Sequence, residues 1–312
     1  MKPGNGSAVK EFTLLGLTSD PELELLLFLF FFFIYTFTVL GNLSILLIVS
    51  GSTQLHTPMY YFLTQLSILD MAYSSVTAPK LLADLLTRKK TISFSECIVQ
   101  IYFFGAFGST EFFLLAAMAF DRYAAICNPL LYPLTMTKGL CARLVAGSYI
   151  GGFLHSLIHA GCLFQLSFCG PNVMNHFACD YPVILKLSCT DISLNNLLRF
   201  LLAALVVASS LLVILVSYSY IITSILRIRT TTGRRQAAST CISHFTCVSL
   251  FYGSAFLMEV RPSSSSSEEE NKIIAVIPTM VIPSLNPLIY SLRNNEVKEA
   301  LRTILYKTIK KL

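Results

Sequence analysis

Several residues stand where an apolar chain would not place them without a reason. Asp121 and Arg122 follow directly on the run FFLLAAMAF (112–120). Asp70 lies within LTQLSILDMAYSS and Glu111 within GSTEFFLLA. Ionisable groups inside such runs are costly in lipid, so they face an interior and serve a purpose. Two chemistries fit Asp70 and Glu111. They could share a proton or hold a sodium ion with nearby Ser and Asn oxygens, or they could be neutral, hydrogen-bonded acids that only join helices. Asn42 and Asn286-Pro287 interrupt two further apolar runs. Pro287 removes a backbone donor and kinks its helix, and Pro278 and Pro283 add to the irregularity. For Asp121-Arg122 the geometry of a helix end allows the arginine to snorkel to the interface and pair with an acid. Such a pair closes a cleft in one state and opens it in another, or it merely anchors the topology. The five histidines show no close metal-ligand spacing, and His155 and His159, four apart, read as helix-packing residues.

These groups need helices that cross a membrane. The chain has 312 residues, 54% hydrophobic and 13% charged, with a mean hydropathy of +0.66. A soluble chain would be about a quarter charged. Seven stretches approach the ~20 apolar residues of a span: 25–49, 58–83, 98–120, 143–163, 196–226, 238–258 and 272–291. The second and seventh are the most polar. No cleavable signal precedes the first, which reads as a retained span. The net charge is +6, but the basic residues are scattered without stacking aromatics, which argues against nucleic acid.

Lysine and arginine set the orientation. The loop at 121–143, the loop at 227–235 and the tail carry 13 basic residues against three acids. The opposite loops carry 10 against 12, although Arg88-Lys89-Lys90 runs the other way. The first set is expected inside and the N-terminus outside. Asn5 opens an N-glycosylation sequon, and Cys97, Cys169, Cys179 and Cys189 all fall in the outside set, where disulfides persist. The expected division is an extracellular N-terminus at 1–24, a transmembrane bundle at 25–291 and a cytoplasmic tail at 292–312. The tail has apolar residues at helical spacing, as in an amphipathic helix on the inner leaflet of the bilayer. The run SSSSSEEE (263–270) reads as a solvated loop.

At this point the motifs match a family. MAFDRYAAICNPLLY (118–132) resembles the third-helix signature of odorant receptors, a branch of the rhodopsin-like G-protein-coupled receptors. LHTPMYYFLTQLSILD (55–70), CGPNVMNHFACD (169–180), SYSYIITSILRI (217–228), RRQAASTCISHF (234–245) and PSLNPLIYSLRN (283–294) are similar to that family's other motifs, in its order. The resemblance implies an all-α seven-transmembrane bundle with a short amphipathic C-terminal helix. It implies a plasma-membrane receptor that binds a small volatile odorant, couples to a stimulatory, olfactory-type heterotrimeric G protein and raises cAMP. No cofactor is implied.

The resemblance also assigns roles. Asp121, Arg122 and Tyr123 would form the inner switch, with Tyr218 and Tyr290 swinging toward it and His244 on the moving sixth span. Asn42, Asp70, Glu111 and Asn286 would form the polar core, where sodium is possible. Cys97 would pair with Cys179, and Cys169 with Cys189. The odorant would lie among Phe104, Gly105, Gly108, Ser109, Leu202, Val206, Tyr252, Ala255, Phe256, Glu259 and Thr279, a mostly apolar set with a few hydroxyls. Burial at ~0.8 kcal/mol per methylene would give micromolar affinity and broad tuning. The chain departs from the family in lacking tryptophan, with Tyr149 in its place on the fourth span, in Arg234-Arg235, and in Glu259, where tyrosine is frequent. Glu259 would favour amines at the pocket mouth, or would be a solvated acid paired with Arg261 or Lys272. A transporter would show paired halves, and none are visible. An intramembrane enzyme would need a nucleophile-base or metal cluster, and no such spacing is present.

Overall fold

The first helix begins where its residues dictate. Asp20 accepts from the backbone N–H of Glu22 at 3.0 Å, and Pro21 takes the first helical position, where its missing donor is harmless. The computed structural model describes residues 10–169, 171–259, 268–293, 297–300 and 302. Its helices are α1 (Pro21–Gly51), α2 (Pro58–Leu85), α3 (Phe94–Cys127), α4 (Tyr132–Thr135), α5 (Lys138–Leu163), α6 (Tyr181–Leu185), α7 (Ser193–Arg227), α8 (Thr231–Glu259), α9 (Glu268–Val276) and α10 (Ile282–Arg293). A π-helical turn, Ile277–Val281, joins α9 to α10.

By length and composition, six helical stretches among the described residues can cross a membrane: α1, α3, α5, α7, α8 and Glu270–Tyr290. The remaining span, α2, carries Asp70, Lys80 and Asp84 and is too polar to qualify by hydropathy. Its 28 residues still measure about 42 Å at ~1.5 Å each, and it packs against α1, α3 and α10. All seven expected spans are therefore helices, most of them longer than their apolar runs. The three prolines of the last span do not break it: Pro278 lies in the π-helical turn, Pro283 is the second residue of α10 and Pro287 lies inside that helix.

The main core runs through the middle of the bundle and includes Leu66, Leu69, Leu114, Leu115, Ile214 and Phe251. The outward faces are apolar as well. Phe33 is 69% exposed on α1 and Leu212 63% on α7, because the solvent for those faces is hydrocarbon. Close approach of α3 and α5 depends on Gly152: a Cβ there would stand 2.6 Å from the Ala106 carbonyl oxygen.

Within the expected polar N-terminus, the described residues 10–24 are not purely solvated. Glu11–Leu14 forms β1, the middle strand of a three-stranded sheet, antiparallel to β2 (Thr91–Ser93) and parallel to β3 (Val173–Met174). Phe12 and Leu14 are buried beneath it with Ile92, Cys97 and Met174. Glu268–Glu270, the end of the run expected as a loop, open α9 instead, while 263–267 lie outside the described residues. Asn5, Arg261 and most of the tail lie outside the described residues, but Val297 and Ala300 are helical and buried against the main core.

Candidate functional site

The sheet end of the bundle is cross-linked. Ser93 caps α3 through a capping box with Glu96, which fixes the helix start one turn before Cys97. Cys97 is bonded to Cys179, and Cys169 to Cys189. The first bond draws the segment 176–180 across the bundle. Gln100 holds it there: its Oε1 accepts from Cys179 N at 2.8 Å while its Nε2 donates to Val76 O at 3.0 Å. Beneath that segment lies a crevice of about 10 Å³, room for roughly one water. Phe104 on α3 and Thr279 on the π-helical turn line it, together with Thr77, Phe177, Met258 and Ala275. Thr279 donates to Ala275 O at 2.9 Å, whereas the buried Thr77 hydroxyl has no hydrogen-bond partner among the described residues.

The other expected pocket residues divide. Tyr252 donates to Ser210 Oγ at 2.7 Å and meets the Phe112 ring at 4.9 Å; Val206 is buried, and Leu202 and Ala255 are half-buried. Gly108 faces the Tyr73 hydroxyl, 3.3 Å from where its Cβ would be. Gly105 and Ser109 turn toward α5. A Cβ on Gly105 would come within 2.7 Å of Ser156 Oγ, and Ser109 Oγ lies 2.8 Å from His155 Nδ1. His155 in turn contacts His159 at 3.3 Å. Phe256 is 66% exposed on the outer flank and does not face the crevice. Arg261 lies outside the described residues, and the cation that Glu259 meets is not the one expected on its own or the next helix. Arg199 of α7 donates to both its oxygens, at 2.8 and 2.7 Å, so the carboxylate is already neutralised by a cation from the neighbouring helix.

In the middle of the bundle, Asn286 Nδ2 donates to both oxygens of Asp70 at 3.0 Å. Asn42 Nδ2 ties α1 to the last span through Pro283 O at 3.1 Å and also donates to Thr38 O at 3.0 Å. Glu111 is buried, and neither it nor Asp70 has an ion-pair partner among the described residues. Glu111 Oε2, Asn42 Oδ1 and Asn286 Oδ1 have no hydrogen-bond partner among the described residues. Buried oxygens left over in this way suit a small hard cation, which takes oxygen ligands.

At the opposite end, α3 continues past Phe120 to Cys127, so Asp121 and Arg122 belong to its last two turns and not to a loop. Both are buried, which replaces snorkelling with an inward-facing pair. Arg122 pairs with Asp121, and Tyr132 of α4 donates to Asp121 Oδ1 at 2.8 Å. Burial, and then the Asp121 charge, push the Tyr132 phenol above its usual range, so it stays a donor. Three helices are tied together one to two turns deeper. His244 of α8 meets Tyr218 of α7 at 2.7 Å through Nδ1 and Leu115 O of α3 at 3.1 Å through Nε2. Tyr123 contacts the Tyr220 ring at 5.6 Å, and Tyr290 is buried in the same core. Among the described residues, no group of three or more His, Cys, Asp or Glu could hold a metal ion.

A bundle of seven helices with a disulfide-tethered loop over one end and a buried arginine at the other defines the rhodopsin-like receptor fold. Squid rhodopsin shares that fold, with a TM-score of 0.71 at 17% identity over 94% of this chain and 88% of its own. The olfactory receptor family model matches residues 31–308, and the chain belongs to that family, whose members are multi-pass membrane receptors and not enzymes. It is 50% identical to human olfactory receptor 5A1 over 97% of this chain and 96% of the relative. It is also 50% identical to mouse olfactory receptor 5M5, over 96% and 94%.

Proposed function

We infer that this chain is an odorant receptor of the plasma membrane, with its N-terminus outside, which turns binding of a small volatile molecule at the sheet end into activation of a stimulatory G protein and a rise in cAMP. One observation carries the reading: α3 and α8 run from the crevice under segment 176–180 to the buried Arg122 and the His244 clasp. A molecule entering the crevice must widen it, and the same two helices pass that displacement to the inner end. Opening there breaks the hydrogen bonds of His244 and frees Arg122 for a partner. A two-state clasp of this kind is what a ligand can bias.

The topology is supported by the charge bias of the loops and by two disulfides at the sheet end, which belong in an oxidising compartment. Ligand contacts are assigned to Phe104, Thr279, Tyr252, Val206, Leu202, Ala255 and Gly108, with Thr77 and Met258 added. Gly105 and Ser109 act on the pocket through the seating of α3 against α5. Sodium, when bound, would be held by Asp70, Glu111 and Asn286, and its single charge would offset one carboxylate in a dry site. Cells expressing the chain, screened with a chemically diverse odorant panel, should give ligand-dependent cAMP that Arg122→Ala abolishes at unchanged surface expression. A full response in that variant would overturn the coupling role.

A further inference from the structure

A second cavity, of about 710 Å³, opens on the flank of the bundle between α2 and α3. Its floor is apolar, formed by Ala72, Val76, Val99, Phe103 and Phe107. Phe103 and Phe107 stack at 5.6 Å and both meet the Phe153 ring of α5, so the floor is a packed wall. Lys80 and Glu96 stand at the rim, beside β2. None of its lining is shared with the crevice, and Gln100, bonded to Val76 O and Cys179 N, fills the partition between them.

Length and charge together identify what fits. From Glu96 to Phe107, α3 rises about 16 Å at ~1.5 Å per residue. That is close to half of the ~30 Å hydrocarbon core, the depth of one leaflet. The rim offers one cation and one anion. The Lys80 side chain is 27% exposed beside its partner Asp84. Glu96 uses Oε2 for the capping box, and Oε1 makes no hydrogen bond among the described residues. A wholly anionic headgroup would meet Glu96 and Asp84, and an uncharged one would leave Glu96 without a counter-charge. We propose that this groove binds an acyl chain of a zwitterionic phospholipid, with its phosphate toward Lys80 and its ammonium toward Glu96. Assignment to the outer leaflet rests on the orientation proposed above; the site itself does not. Bound there, the lipid chain lies against the far side of the Gln100 partition that holds the loop over the crevice.

The test needs no odorant, so its failure is separate from failure of the receptor reading. The full chain is reconstituted in phosphatidylcholine nanodiscs doped with a phosphatidylcholine that carries a diazirine on its acyl chain, irradiated, digested and mapped by mass spectrometry. Labelling should concentrate in 72–80 and 96–107. Val99→Trp, at a position 53% exposed, should remove it without lowering the unfolding temperature. Diazirine-bearing phosphatidylglycerol should label about fivefold less, equivalent to ~1 kcal/mol, and Glu96→Gln, which can keep the helix cap, should close that gap. Labelling spread evenly around the bundle, equal labelling by both lipids, or preferential labelling by a diazirine-bearing octanol would overturn the proposal.

Discussion

His244→Phe isolates the inner clasp. The substitution keeps an aromatic ring in the place where the histidine now lies parallel to Tyr218 at 5.9 Å, so packing is largely preserved. It removes two hydrogen bonds, to Tyr218 Oη at 2.7 Å and to Leu115 O at 3.1 Å. The Tyr218 hydroxyl can turn its proton to Cys241 O, 3.3 Å away, and Leu115 O is a helical carbonyl, so neither partner is stranded. The loss is therefore the net value of two bonds, about 0.5–1.5 kcal/mol each. Because the clasp spans α3, α7 and α8 and must part when α8 moves, the whole loss falls on the closed state. A change of ~1–3 kcal/mol raises the open-to-closed ratio about 5- to 150-fold. The assay is ligand-independent cAMP in cells, normalised to surface-labelled receptor. Basal signal should rise steeply, with the odorant response shifted to lower concentration. Unchanged basal signal at normal surface density, with an unshifted response, would refute the argument that this clasp holds the receptor closed.

Other outcomes follow from single contacts. Asn286→Ala strands the Asp70 carboxyl in the core and should lower thermal stability in detergent by ~1–3 kcal/mol, with Asp70→Asn in the same chain restoring part of it. Phe12→Ser empties the packed site beneath β1 and should cost about 3 kcal/mol, seen as earlier unfolding and reduced surface density; wild-type stability would contradict the buried strand. Glu259→Gln should leave the ranking of amine and neutral odorants unchanged, since Arg199 already neutralises the carboxylate; a selective loss of amine responses would return Glu259 to the pocket.

The seven spans were legible because a membrane helix announces itself by a long apolar run, and even α2 could be read despite Asp70, Lys80 and Asp84. The polar core was legible for the same reason, since charge in such a run is rare. Strand β1 was not: four residues within a polar stretch carry little signal, and its partners lie about 80 and 160 positions away. The Glu259 partner was equally remote, with 60 residues separating it from Arg199. Phe256 was misplaced for a different reason. Tyr252, Ala255, Phe256 and Glu259 share helical spacing, but in lipid the inward and outward stripes are both apolar, so periodicity does not tell which is which. Gly105 and Ser109 share the spacing of pocket-lining residues, but small residues are also what lets α3 meet α5 closely. Thr77 does carry a signal in the sequence: it follows Asp70 and Ser74 on one buried helical face.

The most direct measurement is nucleotide exchange on a stimulatory G protein by the purified chain in oriented vesicles, with odorant added only at the sheet-end face and the G protein only at the Arg122 face. The account predicts odorant-dependent exchange for the wild-type chain and none for Arg122→Ala, although that variant still binds the odorant. Equal exchange by the two chains, or exchange only when both additions are made to the same face, would contradict it.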